Sequence, residues 1–271
     1  MIKNILSILL FGVALQSAQA HENLLTVADA INISGKEGML AQRIAKAYLF
    51  KTFGTDPLQA DKEINTSLIL FDENLRLLKE FALSPELVAS MEKIETTSKE
   101  FKELASRVTS KEGAVKMLSM NTAILEACTK LQESLITYAL TLPGKGLAQD
   151  VREQWYDLIR QSGRQRMLSQ RGALYYAAYY WNIDNTNSKI EFEKATNDFQ
   201  QTLSVLLTST INTPEIDALL SPAIEEWKVV RELYSKFLTK ELTPETLLKS
   251  STAILSFMDK CTGAYAQLYP N

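Results

Sequence analysis

Histidine is almost missing from this chain: His21 is the only one in 271 residues. A Ser–His or Cys–His catalytic pair therefore has no histidine within the fold. The Glu-x-x-His pairs of helical di-iron sites are absent, and a two-histidine copper brace lacks its second member. Covalent haem attachment through Cys-x-x-Cys-His and the glycine patterns of nucleotide loops are missing too. Carboxylates are plentiful, but nothing in the sequence draws two of them into one pocket. The reading is a non-enzyme with no metal and no cofactor.

Charge of one sign is scarce as well. Twenty-nine Lys and Arg face 32 Asp and Glu, for a net charge of −3. No basic cluster offers phosphate neutralisation, so nucleic acid is not an expected partner. Long apolar runs are also absent: the largely apolar stretch from Ile5 to Leu15 is too short for a membrane span, which takes roughly 20 residues. With Lys3 before it and Ala18-Gln19-Ala20 after it, residues 1–20 read as a secretory signal peptide. The chain from His21 is then expected in the periplasm, soluble and not inserted in a membrane after cleavage. Only two cysteines occur. Cys128 and Cys261 each lie on an apolar stripe at helical spacing, which fits either two buried thiols or a bridge between them.

What is present is a repeat. At a shift of 128, Ser34-Gly35-Lys36-Glu37-Gly38-Met39-Leu40-Ala41-Gln42-Arg43 lies on Ser162-Gly163-Arg164-Gln165-Arg166-Met167-Leu168-Ser169-Gln170-Arg171, with six of ten positions identical. The same shift aligns Phe71 with Phe199 and Leu75 with Leu203, and a shift of 130 aligns Thr122-Ala123-Ile124-Leu125 with Thr252-Ala253-Ile254-Leu255. Apolar residues recur every three or four positions, and sustained alternation is absent, so every element should be a helix. Turn residues cut copy one into helices near 24–53, 57–82, 85–109 and 112–141; copy two breaks near 184–188, 213–214 and 239–244. The fold expected is all-α, with two tandem antiparallel four-helix bundles related by internal duplication, over 21–142 and 147–271, joined by Pro143 to Gly146.

The first helix of each copy carries the unusual residues. One face of it reads Trp155, Ile159, Ser162, Arg166, Ser169, Ala173 in copy two, and Val27, Ile31, Ser34, Gly38, Ala41, Ala45 in copy one. Small residues at the centre suit the close approach of another helix. Gly35 and Gly163 sit mid-helix, where glycine costs ~1 kcal/mol relative to alanine; close packing or a space for a ligand offsets this. Arg166 stands at a core position and must find an anionic or carbonyl partner. That partner is an acid of a neighbouring helix or a bound anion. Arg43 and Arg171 fall about 140° from this face and should meet other helices or solvent. The aromatic run Tyr175, Tyr176, Tyr179, Tyr180, Trp181 packs within the bundle or forms a binding wall.

The segment Ile159-x-x-Ser162-Gly163-x-x-Arg166-Met167-Leu168-Ser169-Gln170-Arg171 resembles the signature of the PilJ-type, NarX-like periplasmic sensor domain of type IV pilus chemotaxis transducers and nitrate/nitrite sensor kinases. Copy one resembles it through Ile31, Ser34-Gly35 and Met39-Leu40-Ala41-Gln42-Arg43. In the nitrate-sensing branch, first helices of two subunits meet, and the arginine before the methionine holds a small anion. The resemblance therefore implies a periplasmic sensory module that recognises a small anion, nitrate-like or carboxylate. Arg166 would lead the site, with Ser162, Gly163, Ser169, Ser34, Gly35 and Gly38, supported by Met167, Gln170, Arg171, Met39, Gln42 and Arg43. A membrane-bound sensor or chemoreceptor is the implied partner. Gly38 replaces the arginine in copy one, so a two-arginine clamp cannot form within one chain; the expectation is that Gly38 lies opposite Arg166. The alternative is an interaction module that binds a receptor or pilus component without a small ligand.

Overall fold

The computed structural model describes residues 25–270 apart from 83, 145, 235–238, 240 and 242; the expected signal peptide lies outside the described residues. Among the described residues eight helices follow in order: α1 Val27–Thr52, α2 Pro57–Phe81, α3 Pro85–Ala105, α4 Lys111–Thr141, α5 Gln149–Tyr180, α6 Asn185–Leu207, α7 Pro214–Tyr234 and α8 Pro244–Leu268. Among the described residues there is no strand. The fold is thus all-α, two tandem four-helix bundles in the order that the repeat dictates.

The helix starts follow local chemistry. Thr26 and Asp29 form a reciprocal capping box at α1, and the side chains of Ser84, Ser110 and Thr243 each accept a first-turn amide of α3, α4 and α8. Proline opens α2, α3, α7 and α8, where its missing N–H is no loss. Helix α3 ends at Ala105 rather than 109. The amide of Arg107 folds back on the Leu104 carbonyl at 3.1 Å, and Ser110 is taken as the cap of α4. The turns after α1 and α5 repeat one conformation: Gly54 and Asn182 have φ of 78° and 60°, Asp56 and Asp184 have 42° and 44°. Asn and Asp tolerate this left-handed region better than other side-chain-bearing residues.

Helices α1 and α5 form the centre. Helix α1 is flanked by α2 and α4, and α5 by α6 and α8, while α3 packs on α4 and α7 on α8. The two central helices run side by side in the same direction. Arg166 meets the Asn32 carbonyl near one end, Arg171 meets Gln42 midway, and the rings of Phe53 and Trp181 stack at 4.5 Å beyond the other end. Positions 53 and 181 are themselves duplicates, as expected where an approximate two-fold axis passes between equivalent residues. Ala41, Ala45, Ala173 and Ala177 are fully buried and permit the close approach. The buried apolar residues of both halves form one continuous core.

Candidate functional site

Below the Phe53–Trp181 stack, the seam between α1 and α5 is unusually polar for a helix core. Arg171, nearly buried, donates to Gln42 Oε1 at 3.1 Å, to Asn121 Oδ1 at 2.9 Å and to Glu191 Oε2 at 2.6 Å, with its guanidinium over the Tyr175 ring. Its duplicate Arg43 lies 3.6 Å from Glu63, which also meets the buried ammonium of Lys46 at 3.2 Å. Lys46 crosses the seam to donate to Gln170 Oε1 at 2.7 Å. Burial pulls the Lys46 ammonium below its usual range; burial also opposes charge on Glu63, but Lys46 and Arg43 outweigh it and hold that carboxyl low. Arg43 and Arg171 therefore bind other helices, and their acids, Glu63 and Glu191, are also duplicates at a shift of 128. That pairing was readable in the repeat once each arginine was asked for its partner.

Arg166 is wholly buried and engaged. Its Nη1 donates to Asp259 Oδ1 of α8 at 2.7 Å and its Nη2 to the Asn32 carbonyl of α1 at 3.2 Å, while Lys36 approaches the same carboxylate oxygen at 3.5 Å. Burial lowers the Arg166 pKa, with Asp259 resisting the fall; burial opposes charge on Asp259, but Arg166 and Lys36 hold that carboxyl below its usual range. The residue facing the guanidinium from α1 is Gly35, not Gly38. A Cβ on Gly35 would lie 3.5 Å from Arg166 Nη2, whereas one on Gly38 would meet Leu125 at 3.1 Å, Cys128 at 3.7 Å and Met167 at 3.9 Å. About an approximate two-fold axis along the seam, equivalent residues that point at the axis meet, as Phe53 and Trp181 do, whereas off-axis equivalents such as Gly38 and Arg166 fall on opposite sides.

The three motif serines do not reach toward a ligand. Ser34 donates to the Ile31 carbonyl at 2.9 Å, Ser162 to that of Leu158 at 2.7 Å and Ser169 to that of Arg166 at 2.8 Å, each within its own helix. Gln170 donates to the Ser251 carbonyl at 3.0 Å, and Met39 is buried in the core. Tyr176 packs on Phe192 and Trp181 on Phe50 and Phe53, so the aromatic run is chiefly packing. Cys128 and Cys261 are free and buried, and burial pushes the Cys261 thiol up to about 12 and the Cys128 thiol well up. Both are inert, protonated core thiols.

Glu37 and Gln165 are among the buried polar residues that escaped sequence reading. Glu37, fully buried on α1, has no well-formed hydrogen bond at either carboxyl oxygen, and burial drives its pKa well above the usual carboxylate range, with Asn74 nearby only partly opposing it. Its duplicate is Gln165, whose amide donates to the Phe199 carbonyl at 2.9 Å. A protonated Glu37 is a close stand-in for glutamine, and the alignment of 37 with 165 was the available signal.

A cleft of about 470 Å³ opens over the seam between α4 and α6. Gly35, Gly38, Gly163 and Met167 are among its α1 and α5 lining, Glu126, Thr129 and Lys130 come from α4, and Lys194 and Asp198 from α6. The glycines that suggested close packing thus also leave space, and the cleft touches the motifs of both copies.

A match across both halves decides the relationship. The sequence profile of the type IV pili methyl-accepting chemotaxis transducer N-terminal family, PilJ, matches residues 21–131 and again residues 157–252. The chain belongs to the PilJ family. One matched segment falls in each half of the duplication, so one chain carries two PilJ modules. Nothing matches among curated proteins or among solved structures. The family sets the chain in a sensory, chemotaxis-transducer context. No helix among the described residues is long and apolar enough to cross a membrane.

Proposed function

We propose that this chain is a periplasmic sensory module in which two PilJ units pair within one polypeptide, capture a small ligand along the α1–α5 seam and present the liganded state to a membrane-bound receptor. The observation that carries this reading is the cleft. It lies over the glycines of both motifs, where the two halves meet, so a ligand there touches elements of both halves at once. A module that reports occupancy needs such a shared site, because a ligand shifts an equilibrium only through unequal contacts in two states.

A carboxylate or nitrate-like anion remains the ligand implied by the family resemblance. At Arg166 itself it would have to displace Asp259, which already neutralises the guanidinium and is itself held by Lys36. That existing ion pair favours the second reading, a protein-interaction module that docks on a receptor with no small ligand.

Thermal unfolding with candidate ligands, run beside co-purification with a receptor's periplasmic domain, separates the two. A saturable rise in Tm with one ligand class supports sensing. No rise with any ligand, together with ligand-free receptor binding, supports docking alone.

A further inference from the structure

The surroundings of Arg166 and the lining of the cleft are two versions of one site. On α1, Asn32, Gly35 and Lys36 stand around the guanidinium or its carboxylate; their duplicates at a shift of 128 are Arg160, Gly163 and Arg164, all of which line the cleft. Asp259 of α8 corresponds, at the shift of 130 that relates α4 to α8, to Thr129 in the cleft, and Arg166 corresponds to Gly38. The correspondence holds in space. A Cβ on Gly35 would meet Gln132 at 2.5 Å and one on Gly163 would meet Thr262 at 3.9 Å, and positions 132 and 262 are duplicates in turn. Copy two fills its half with a guanidinium and a carboxylate. Copy one has glycine and threonine at those positions, and about 470 Å³ of space.

The charges around that space have also changed. On the helix turns either side of Thr129, α4 carries Glu126 and Glu133, where α8 has Ser256 and Gly263 beside Asp259. Lys130 and Lys194 are the remaining exposed cations of the walls. None of these four side chains has a hydrogen-bond or ion-pair partner among the described residues, whereas Arg164 is held by Asp198 at 2.6 Å and Arg171 by Glu191 at 2.6 Å. The cleft thus offers two unengaged carboxylates and two unengaged ammonium groups around a partly apolar floor. An ion of one sign would satisfy only half of them, and a bare anion would meet both glutamates. A molecule with both charges matches the set.

We propose that the cleft binds a small zwitterion of the amino-acid class. Its ammonium takes, against Glu126 and Glu133, the place that the Arg166 guanidinium takes in the other half. Its carboxylate meets Lys194, and its apolar part lies on Gly38, Leu125 and Met167. The ligand supplies the cation that copy one has lost, so each chain holds one site rather than two. This assignment rests on the sensory reading above and names its ligand class.

Calorimetry on the full mature chain with the twenty L-amino acids and with sodium nitrate tests it, together with the charge-deleted analogues of the tightest binder. For L-leucine these are isopentylamine and 4-methylpentanoate. The expected result is saturable binding of one or a few amino acids at one site per chain, with both analogues at least about tenfold weaker. Glu126→Lys and Lys194→Glu, both on exposed positions, should each weaken binding at least about tenfold without moving Tm. The pair Gly38→Arg with Thr129→Asp, which rebuilds the other half's contents, should abolish it. Binding of nitrate, or of either analogue, as tight as that of any amino acid overturns the ligand class and leaves the sensory reading standing. Amino-acid binding untouched by all these substitutions overturns the placement. No binding of any probe, with ligand-free capture by a receptor, overturns both.

Discussion

The two halves of the seam have the same backbone and different contents, and the difference shows how a duplicated fold divides labour. Around Arg166, copy two closes its half with its own charges, at a cost in desolvation that only good geometry offsets. Copy one has neither the arginine nor the aspartate and leaves a cleft. The helix packing tolerates both arrangements because the close approach is set elsewhere, by alanines and by the Phe53–Trp181 stack. Under the proposed reading, one half acts as scaffold and the other receives the ligand.

Unbalancing the closed half should have the greatest effect on stability. Asp259→Ala leaves a fully buried guanidinium with only the Asn32 carbonyl, and should cost about 2–4 kcal/mol; this sits below the range for fully buried pairs because the Asp259 side chain is 47% exposed. Arg166→Met leaves behind a carboxylate that water and Lys36 can reach, and should cost less, about 1 kcal/mol. Urea unfolding of both variants checks the order, and a larger loss for Arg166→Met would contradict the account.

Positions 37 and 165 come next. Gln165→Glu places an unpaired buried carboxyl where an amide donated to Phe199, and should cost about 2–3 kcal/mol at pH 7. The reverse change stabilises. The folded pKa of Glu37 is raised, so its contribution is fully present below the unfolded carboxylate pKa and is lost as pH rises through the folded value. Wild type should therefore lose stability as pH rises above the ordinary carboxylate range, and Glu37→Gln should remove that slope and gain about 1–2 kcal/mol once Glu37 is ionised. Unfolding free energies between pH 5 and 9 test the sign. The smallest effect expected is none: reductant should leave intact mass and Tm unchanged, since Cys128 and Cys261 are free.

Much of the fold was legible because its determinants are local or repeated. Prolines and hydroxyl caps set the helix starts, and three-and-four spacing excluded strands. Helix α3 ends four residues before the expected 109 because the chain leaves the helix at Ser106 and Arg107, where no glycine or proline marks the stop. The PilJ motif pointed to the seam, and the seam is where the cleft lies. What the sequence hid was sidedness. Gly38 and Arg166 are equivalent, and equivalence suggested that they face each other; two parallel helices about an approximate two-fold axis put them on opposite sides. Glu63, Glu191 and Glu37 were missed because a charged residue at a core position looks like one more surface acid until its partner, or its lack of one, is known.

Parallel packing of α1 and α5 in the duplication register underlies every comparison made between the halves, and paired cysteines test it directly. Phe53→Cys with Trp181→Cys should form a disulfide under mild oxidation, because the two rings now stack at 4.5 Å. Phe53→Cys with Trp155→Cys should not, since residues 155 and 181 lie about 39 Å apart along α5 at helical rise. A bridge in the second pair and none in the first would mean that the opening helices pair antiparallel, and the two-halves account would be wrong.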